Sequence, residues 1–274
     1  FKQKTAYEML RSLVGSEMCI RDSDTMDITD AATVEGIITE NTPDVVINCA
    51  AYTRVDDCES SREECFRVNA YGAGVVAAAT RRAGAYLVHV STDYVFDGVS
   101  RIPYREDDPC RPLSIYGASK WEGEQRVAAA GGEYAIVRTA WLFGPGGTNF
   151  VRKVIGKLQK GERLKVVNDQ WGSPTYAGHL ARALLKLVQL GLTGVYHVAG
   201  AGVASWYDVA CETCRLMGLG KQVEPITTAE LALPAARPAF SALDCGRYER
   251  DAGYKMPPWQ EGLAAYILES GDVG

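Results

Sequence analysis

Residues 86–98 read Tyr-Leu-Val-His-Val-Ser-Thr-Asp-Tyr-Val-Phe-Asp-Gly, and residues 116–120 read Tyr-Gly-Ala-Ser-Lys. The first stretch predicts a buried strand, Tyr86 to Val90, that delivers the hydroxyls of Ser91 and Thr92 at its carboxyl end. Ligands of open parallel sheets bind at that end, so a site is expected there. The second stretch places Tyr116 and Lys120 four residues apart, on one face of a helix. There a cation can favour the phenolate of a group that otherwise titrates near pH ~10. A tyrosine tuned in this way is a proton donor for a carbonyl, and the Thr92 hydroxyl can hold the oxygen beside it. The three side chains together predict a site that interconverts a ketone and an alcohol.

Outward from this core, strand and helix patterns alternate from about residue 24, as in βαβ units. Asp27-Ile28-Thr29-Asp30 predicts a helix start, with the helix running through Ile38, and Pro43 precedes a buried strand over Val45 to Cys49. Residues 60–82 predict one long helix. A loop rich in proline and acid, 97–113, separates the Thr92 strand from the Tyr116 helix. Tyr134 to Leu142 predicts the next strand, followed by the turn Phe143-Gly144-Pro145-Gly146-Gly147. Helices over Phe150–Lys160, Ala177–Leu190, Ser205–Met217 and Gln260–Leu268 alternate with strands over Leu164–Val167 and Val195–Val198. The expected fold is α/β: a Rossmann-like, doubly wound parallel sheet over residues 24–141. A smaller C-terminal substrate lobe fills most of 142–274, with some elements returning to the first domain.

The chain has 274 residues, a net charge of −5 and a 47% hydrophobic share, enough for one large domain and a smaller lobe. Its apolar runs are strand-sized, well short of the ~18 residues a membrane span needs. The mild acidity argues against nucleic acid as the main partner. Eight cysteines are scattered, and the single CxxC, Cys211 to Cys214, lies inside a helix without a second half. That reads as two small helix residues rather than a metal or redox motif, and fits a reducing, cytoplasmic compartment. His89, His179 and His197 fall on different elements and read as structural. No set of carboxylates is spaced to demand a metal.

Residues 1–23, FKQKTAYEMLRSLVGSEMCIRDS, lack the strand pattern of the rest and resemble a translated sequencing adapter fused to a gene fragment. A dinucleotide-binding domain opens with a strand and a Gly-rich turn that holds the pyrophosphate. Gly15 is the only glycine before Gly36, so that strand and loop are expected to be missing here. A sheet without this strand is expected to be weakly folded or inactive.

Several stretches in order resemble the extended short-chain dehydrogenase/reductase superfamily, and within it the dTDP-4-dehydrorhamnose reductase family. They are Pro43 to Asp56, Val68-Asn69-Ala70, Ser91 to Gly98, Tyr116 to Lys120 with Glu122-Gly123-Glu124, Arg138-Thr139-Ala140-Trp141, Asn168 to Thr175, Tyr196-His197, Ser205-Trp206-Tyr207 and Arg237-Pro238. The resemblance implies reduction of the C4 ketone of a dTDP-linked 6-deoxy-4-keto sugar by NADPH or NADH. Mg2+, used by some relatives, and a homodimer are left open. In its terms Tyr116 is the proton donor, Lys120 its pKa-lowering partner and a ligand of the nicotinamide ribose, and Thr92 the hydroxyl that orients the carbonyl. Asp27 and Ile28 border the adenine, and Ala50, Ala51, Tyr52 and Thr53 line the cofactor. Asp93 and Trp141 contact the sugar nucleotide.

Each of these has a plainer competitor. Trp141 also reads as a strand-end aromatic, Asp27 as a helix N-cap, and Arg237 either as a ligand of the substrate pyrophosphate or as a surface ion pair. An epimerase or dehydratase of the same superfamily would share Tyr116 and Lys120. Dehydration needs a carboxylate pair after the Thr92 position, and here Asp93 is followed by Tyr94. The fold is also similar to the regulatory subunit of methionine adenosyltransferase, against which the intact Thr92, Tyr116 and Lys120 speak.

Overall fold

The computed structural model describes residues 26–270 apart from 147 and 221. The readings of residues 1–23 and of the Gly-rich loop lie outside the described residues. Four parallel strands form the main sheet: β1 (Val45–Asn48), β2 (Tyr86–Thr92), β3 (Tyr134–Thr139) and, on the far side of β3, the strand Gly194–His197. The register sets Asn48 beside His89, Ser91 beside Arg138 and Thr92 beside Thr139. Their carboxyl ends therefore form one edge that carries Asn48, Thr92 and Thr139.

Alternation along β2 and β3 covers both faces, which is why these strands read as continuous apolar runs. Tyr86, Val88, Ala135 and Val137 pack on one face against Leu180, Ala183, Leu184 and Leu187 of the helix Ala177–Gln189. Leu87 and Ile136 pack on the other face with Val34 and Ile38 of the helix Ala31–Asn41 and Val76 and Ala77 of the helix Ala73–Arg82. Helices on both faces of a parallel sheet make the doubly wound arrangement predicted from the alternation.

The helix expected over 60–82 is a broken series. Short helices Val55–Ser60 and Arg62–Phe66 lead into a π-helical stretch, Arg67–Gly72, before Ala73–Arg82. π-Helical turns are sparse and cluster at functional sites, and this one carries Asn69 beside the site. The strand expected over 134–142 also stops early, at Thr139. Trp141 takes a left-handed backbone conformation, φ 47°, that turns the chain out of the sheet. Leu142–Phe143 then pairs in parallel with Thr175–Tyr176. The lobe is built from Leu164–Val167 paired with Val223–Ile226, and from the helices Phe150–Leu158, Trp206–Leu216 and Trp259–Ser270.

One buried ion pair ties the helix Ile115–Ala130 to the sheet. Glu124 accepts from Arg138 Nη2 at 2.8 Å and Nε at 3.0 Å, with the side chains only 2% and 3% exposed. The remaining valences are met: Ser91 donates to Glu124, and Arg138 Nη1 donates to the Glu106 carbonyl at 3.1 Å. Removing one partner leaves a buried charge unpaired, so Glu124→Gln or Arg138→Leu is expected to cost about 3–5 kcal/mol in urea unfolding. The double variant is expected to lose less than the sum of the two, which a double-mutant cycle reads directly.

Candidate active site

The helix Ile115–Ala130 starts where Ser114 caps it, accepting from Gly117 N at 3.2 Å. Gly117 is pressed against the Tyr94 carbonyl and Gly123 against the Asn69 carbonyl, and a Cβ at either position would collide with that backbone. The two glycines thus let the helix settle onto the segment after Thr92 on one side and onto the π-helical stretch on the other. Tyr116, Lys120 and Glu124 follow at four-residue spacing and are all buried. One helical face carries phenol, ammonium and carboxylate in a column.

At the top of the column the Thr92 hydroxyl lies beside the Tyr116 phenol, and the Tyr94 ring stands edge-on to Tyr116 with centroids 5.6 Å apart. Burial pushes the phenol above its ordinary value, and the Thr92 hydroxyl beside it works against that rise. The lowering expected from Lys120 is therefore not what governs Tyr116 here. The ammonium donates instead to the Val90 carbonyl at 2.7 Å, and burial pulls it down to about 8, against the upward pull of Glu124. Asp93 is fully enclosed. Thr92 Oγ1 donates to it at 3.1 Å and Ser241 donates to its other oxygen; burial pushes its carboxyl up to about 6 against those hydrogen bonds.

The cofactor side is organised by Asn69. Its amide accepts from Tyr52 N at 2.7 Å and donates to Tyr52 O at 3.0 Å and to Ser119 Oγ at 2.9 Å. One side chain thereby fixes the turn after β1 and joins it to the Tyr116 helix. Asn48 Oδ1 accepts from Ala50 N at 3.1 Å, holding the start of the same turn. Ala50 and Thr53 are exposed and Ala51 and Tyr52 half-buried, so small side chains and fixed backbone face outward. Asp27 is not the helix N-cap: Asp30 is, accepting from Ala32 N and Thr33 N. Asp27 accepts from Thr29 N at 2.8 Å and lies 3.5 Å from Arg67 Nη1, and these contacts leave its oxygens at the surface. Ile28 is buried against Gly72, where a Cβ would meet its side chain at 2.8 Å.

These positions fit a dinucleotide. The Ala50–Thr53 turn is open and rigid, and the buried Thr139 hydroxyl, beside Thr92 on the carboxyl edge, has no hydrogen-bond partner among the described residues. An unpaired buried hydroxyl at a ligand-binding edge is ready for a polar group of a bound molecule.

Trp141 and Arg237 depart from simple expectation. The Trp141 indole stacks face to face on Trp206, centroids 3.6 Å apart at 3°, and Gly172 packs so close that a Cβ there would strike the ring. Its ring is clamped within the protein, leaving an edge rather than a free face for a ligand. Arg237 is an ion pair after all, but a mostly buried one: Nη2 donates to Asp56 Oδ2 at 2.8 Å and the side chain is 13% exposed.

Asn69, Ser119, Ser241, Asp56 and Trp206 were not singled out as site residues by sequence reasoning. Asn69 carried a signal, a lone amide in an Ala-rich helix; the others meet the site only through tertiary structure. His89 and His197 are fully buried in the sheet, and burial pulls His197 down to about 3. Among the described residues no group of three or more His, Cys, Asp and Glu is placed to hold a metal ion, and no helix is long and apolar enough to cross a membrane.

Comparison with known proteins gives the family. The family model described as the RmlD substrate binding domain matches residues 4–271. The spore coat polysaccharide biosynthesis protein SpsK of Bacillus subtilis is 39% identical, over 96% of this chain and 93% of its own length. A dTDP-4-dehydrorhamnose reductase of Mycobacterium tuberculosis is 43% identical, over 92% of this chain and 85% of its own. The crystal structure of dTDP-4-dehydrorhamnose reductase from Bacillus anthracis in complex with NADP superposes with a TM-score of 0.92 at 38% identity, covering 96% of this chain and 94% of that one. A match that runs through sheet, site and lobe alike leaves one assignment: the chain belongs to the family of the RmlD substrate binding domain.

Proposed function

We propose that this chain is an NAD(P)H-dependent reductase that converts the C4 ketone of dTDP-4-dehydro-L-rhamnose to the alcohol of dTDP-L-rhamnose. The observation that carries the reading is the burial of the Thr92 hydroxyl and the Tyr116 phenol at the carboxyl edge of a parallel sheet, with the Lys120 ammonium one turn along the same helix. The names of the relatives and the NADP bound to one of them support the substrate and the cofactor. A cytoplasmic, homodimeric enzyme fits the reading. The site residues are proposed as follows: Thr92, Tyr116 and Lys120 for the chemistry, and Asp27, Ile28, Ala50, Ala51, Tyr52 and Thr53 for the cofactor. Asp93, Trp141 through its edge, and Arg237 then contact the sugar nucleotide.

The reduced nicotinamide, when bound, supplies a hydride to the carbonyl carbon. The rest falls to the chain. Thr92 and Tyr116 hydrogen-bond the carbonyl oxygen, and the phenol passes its proton to that oxygen as negative charge develops there. A phenol kept protonated by burial is in the state a donor needs. Lys120 then holds a cation one turn away, where it can favour the phenolate until solvent restores the proton.

Tyr116→Phe removes the proton and leaves the ring, so kcat is expected to fall by about 10²- to 10⁴-fold with cofactor binding retained. Nicotinamide absorbance with dTDP-4-dehydro-L-rhamnose measures the first, and cofactor titration the second. Full turnover by the variant would sink the reading. Asp93 gives a separate test. Its folded pKa, about 6, lies above the unfolded value near 3.8, so the folded state binds its proton more tightly. The stability Asp93 contributes through that proton is fully present below about pH 4 and is lost as pH rises through about 6. Asp93→Asn keeps a group that can accept from Ser241 but cannot ionise. Its unfolding free energy relative to wild type is expected to rise across that window, by at most about 3 kcal/mol.

A further inference from the structure

The segment from Ala235 to Asp244 crosses from the lobe to the sheet as a strap. Ala235 N and the Arg237 guanidinium are both held by Asp56, at 3.1 Å and 2.8 Å. Pro238 lies against Gly98, Ser241 donates to Asp93, and Leu243 N donates to Ser173 Oγ at 3.2 Å. Asp56 belongs to the helix Val55–Ser60, directly after the cofactor-side turn, and Ala235 and Arg237 are 179 and 181 residues further on.

Arg237 sits close to the chemistry. Its positive charge acts on the buried Tyr94 phenol, whose ring is edge-on to Tyr116. It also lines a cavity of about 140 Å³ with Gln170, Thr228, Leu231 and Leu233. A guanidinium has five N–H donors. Nη1 donates to the Ala235 carbonyl at 2.9 Å and Nη2 to Asp56, which fixes the plane of the group while other N–H groups stay open to an anion. A fixed, partly buried guanidinium suits phosphate oxygens.

We propose that Asp56 is a positioning residue that acts through Arg237, holding the strap closed and presenting the guanidinium to the diphosphate of the sugar nucleotide. This rests on the reductase reading of the same site. Without the carboxylate, Arg237 loses its fixed plane and Ala235 its anchor, and a flexible arginine must be ordered anew by each substrate, an entropic cost that weakens binding. The loss falls on ground-state binding of the nucleotide, because Asp56 touches no reacting atom.

The test uses the full chain, with dTDP as the calorimetric probe and the sugar nucleotide as substrate. Asp56→Ala is expected to raise the dTDP Kd and the KM by about tenfold or more, with a much smaller fall in kcat and an unchanged cofactor Kd. Asp56→Asn, which keeps an acceptor for Arg237, is expected to lie between Asp56→Ala and wild type, and serves alone if the alanine variant does not fold. A wild-type affinity for dTDP in a folded variant, or a tighter one, overturns the role of Asp56. A wild-type protein that binds reduced cofactor but neither dTDP nor the sugar nucleotide overturns the reductase reading instead.

Discussion

The site depends on the grip of Glu124 on Arg138. Tyr116 and Lys120 can meet Thr92 only if their helix is fixed in rotation and in translation along the sheet, and apolar packing fixes translation poorly. A bidentate pair buried to 2–3% exposure does both, since each extra hydrogen bond adds an angle that must be satisfied. Ser91 ties the same carboxylate to β2, one residue before Thr92. The hydroxyl, the phenol and the ammonium are thereby referred to one rigid frame. An ion pair this deep gives little net stability over apolar residues of the same volume, and its contribution here is geometric.

Burial then decides the protonation states. The site lies under the strap and between helix and sheet, so each charged form is poorly solvated: Tyr116 and Asp93 are pushed up and Lys120 is pulled down. The i, i+4 spacing suggests a simple pair in which ammonium lowers phenol. Enclosure instead brings each group toward its neutral form and leaves the neighbouring Thr92 hydroxyl as a local correction. Such a site holds its proton until a substrate carbonyl arrives to take it, which suits a reductase better than a resting phenolate would.

Much of this was legible in the residues. Thr92 at a strand end, Tyr116 and Lys120 on one helical face, and the doubly covered sheet follow from periodicity and from the small vocabulary of parallel α/β folds. The two breaks in pattern were not. Residues 60–82 read as helix throughout, and the π-helical stretch falls where Asn69 reaches both backbone groups of Tyr52, a tertiary contact. Residues 134–142 read as one strand because Trp141 is a good strand former. Its left-handed backbone is held by the stack on Trp206 and the close approach of Gly172. Asp27 against Asp30 is a subtler miss, since two acids three apart compete for one cap and only the geometry of the first turn chooses.

The Trp141 break shows how the two parts of the protein are made to share one site. A non-glycine residue at φ 47° carries strain of about 1–3 kcal/mol, and such strain persists only where the surroundings over-determine it. Here the strain turns the chain out of the sheet directly after Thr139 and inserts an indole between Trp206 of the lobe and Gly172. The lobe is thus packed against the carboxyl edge at the point where β3 ends, while the strap packs against the same edge from the Asp56 side. Two contacts from opposite sides leave the lobe little freedom to rotate over Thr92 and Tyr116.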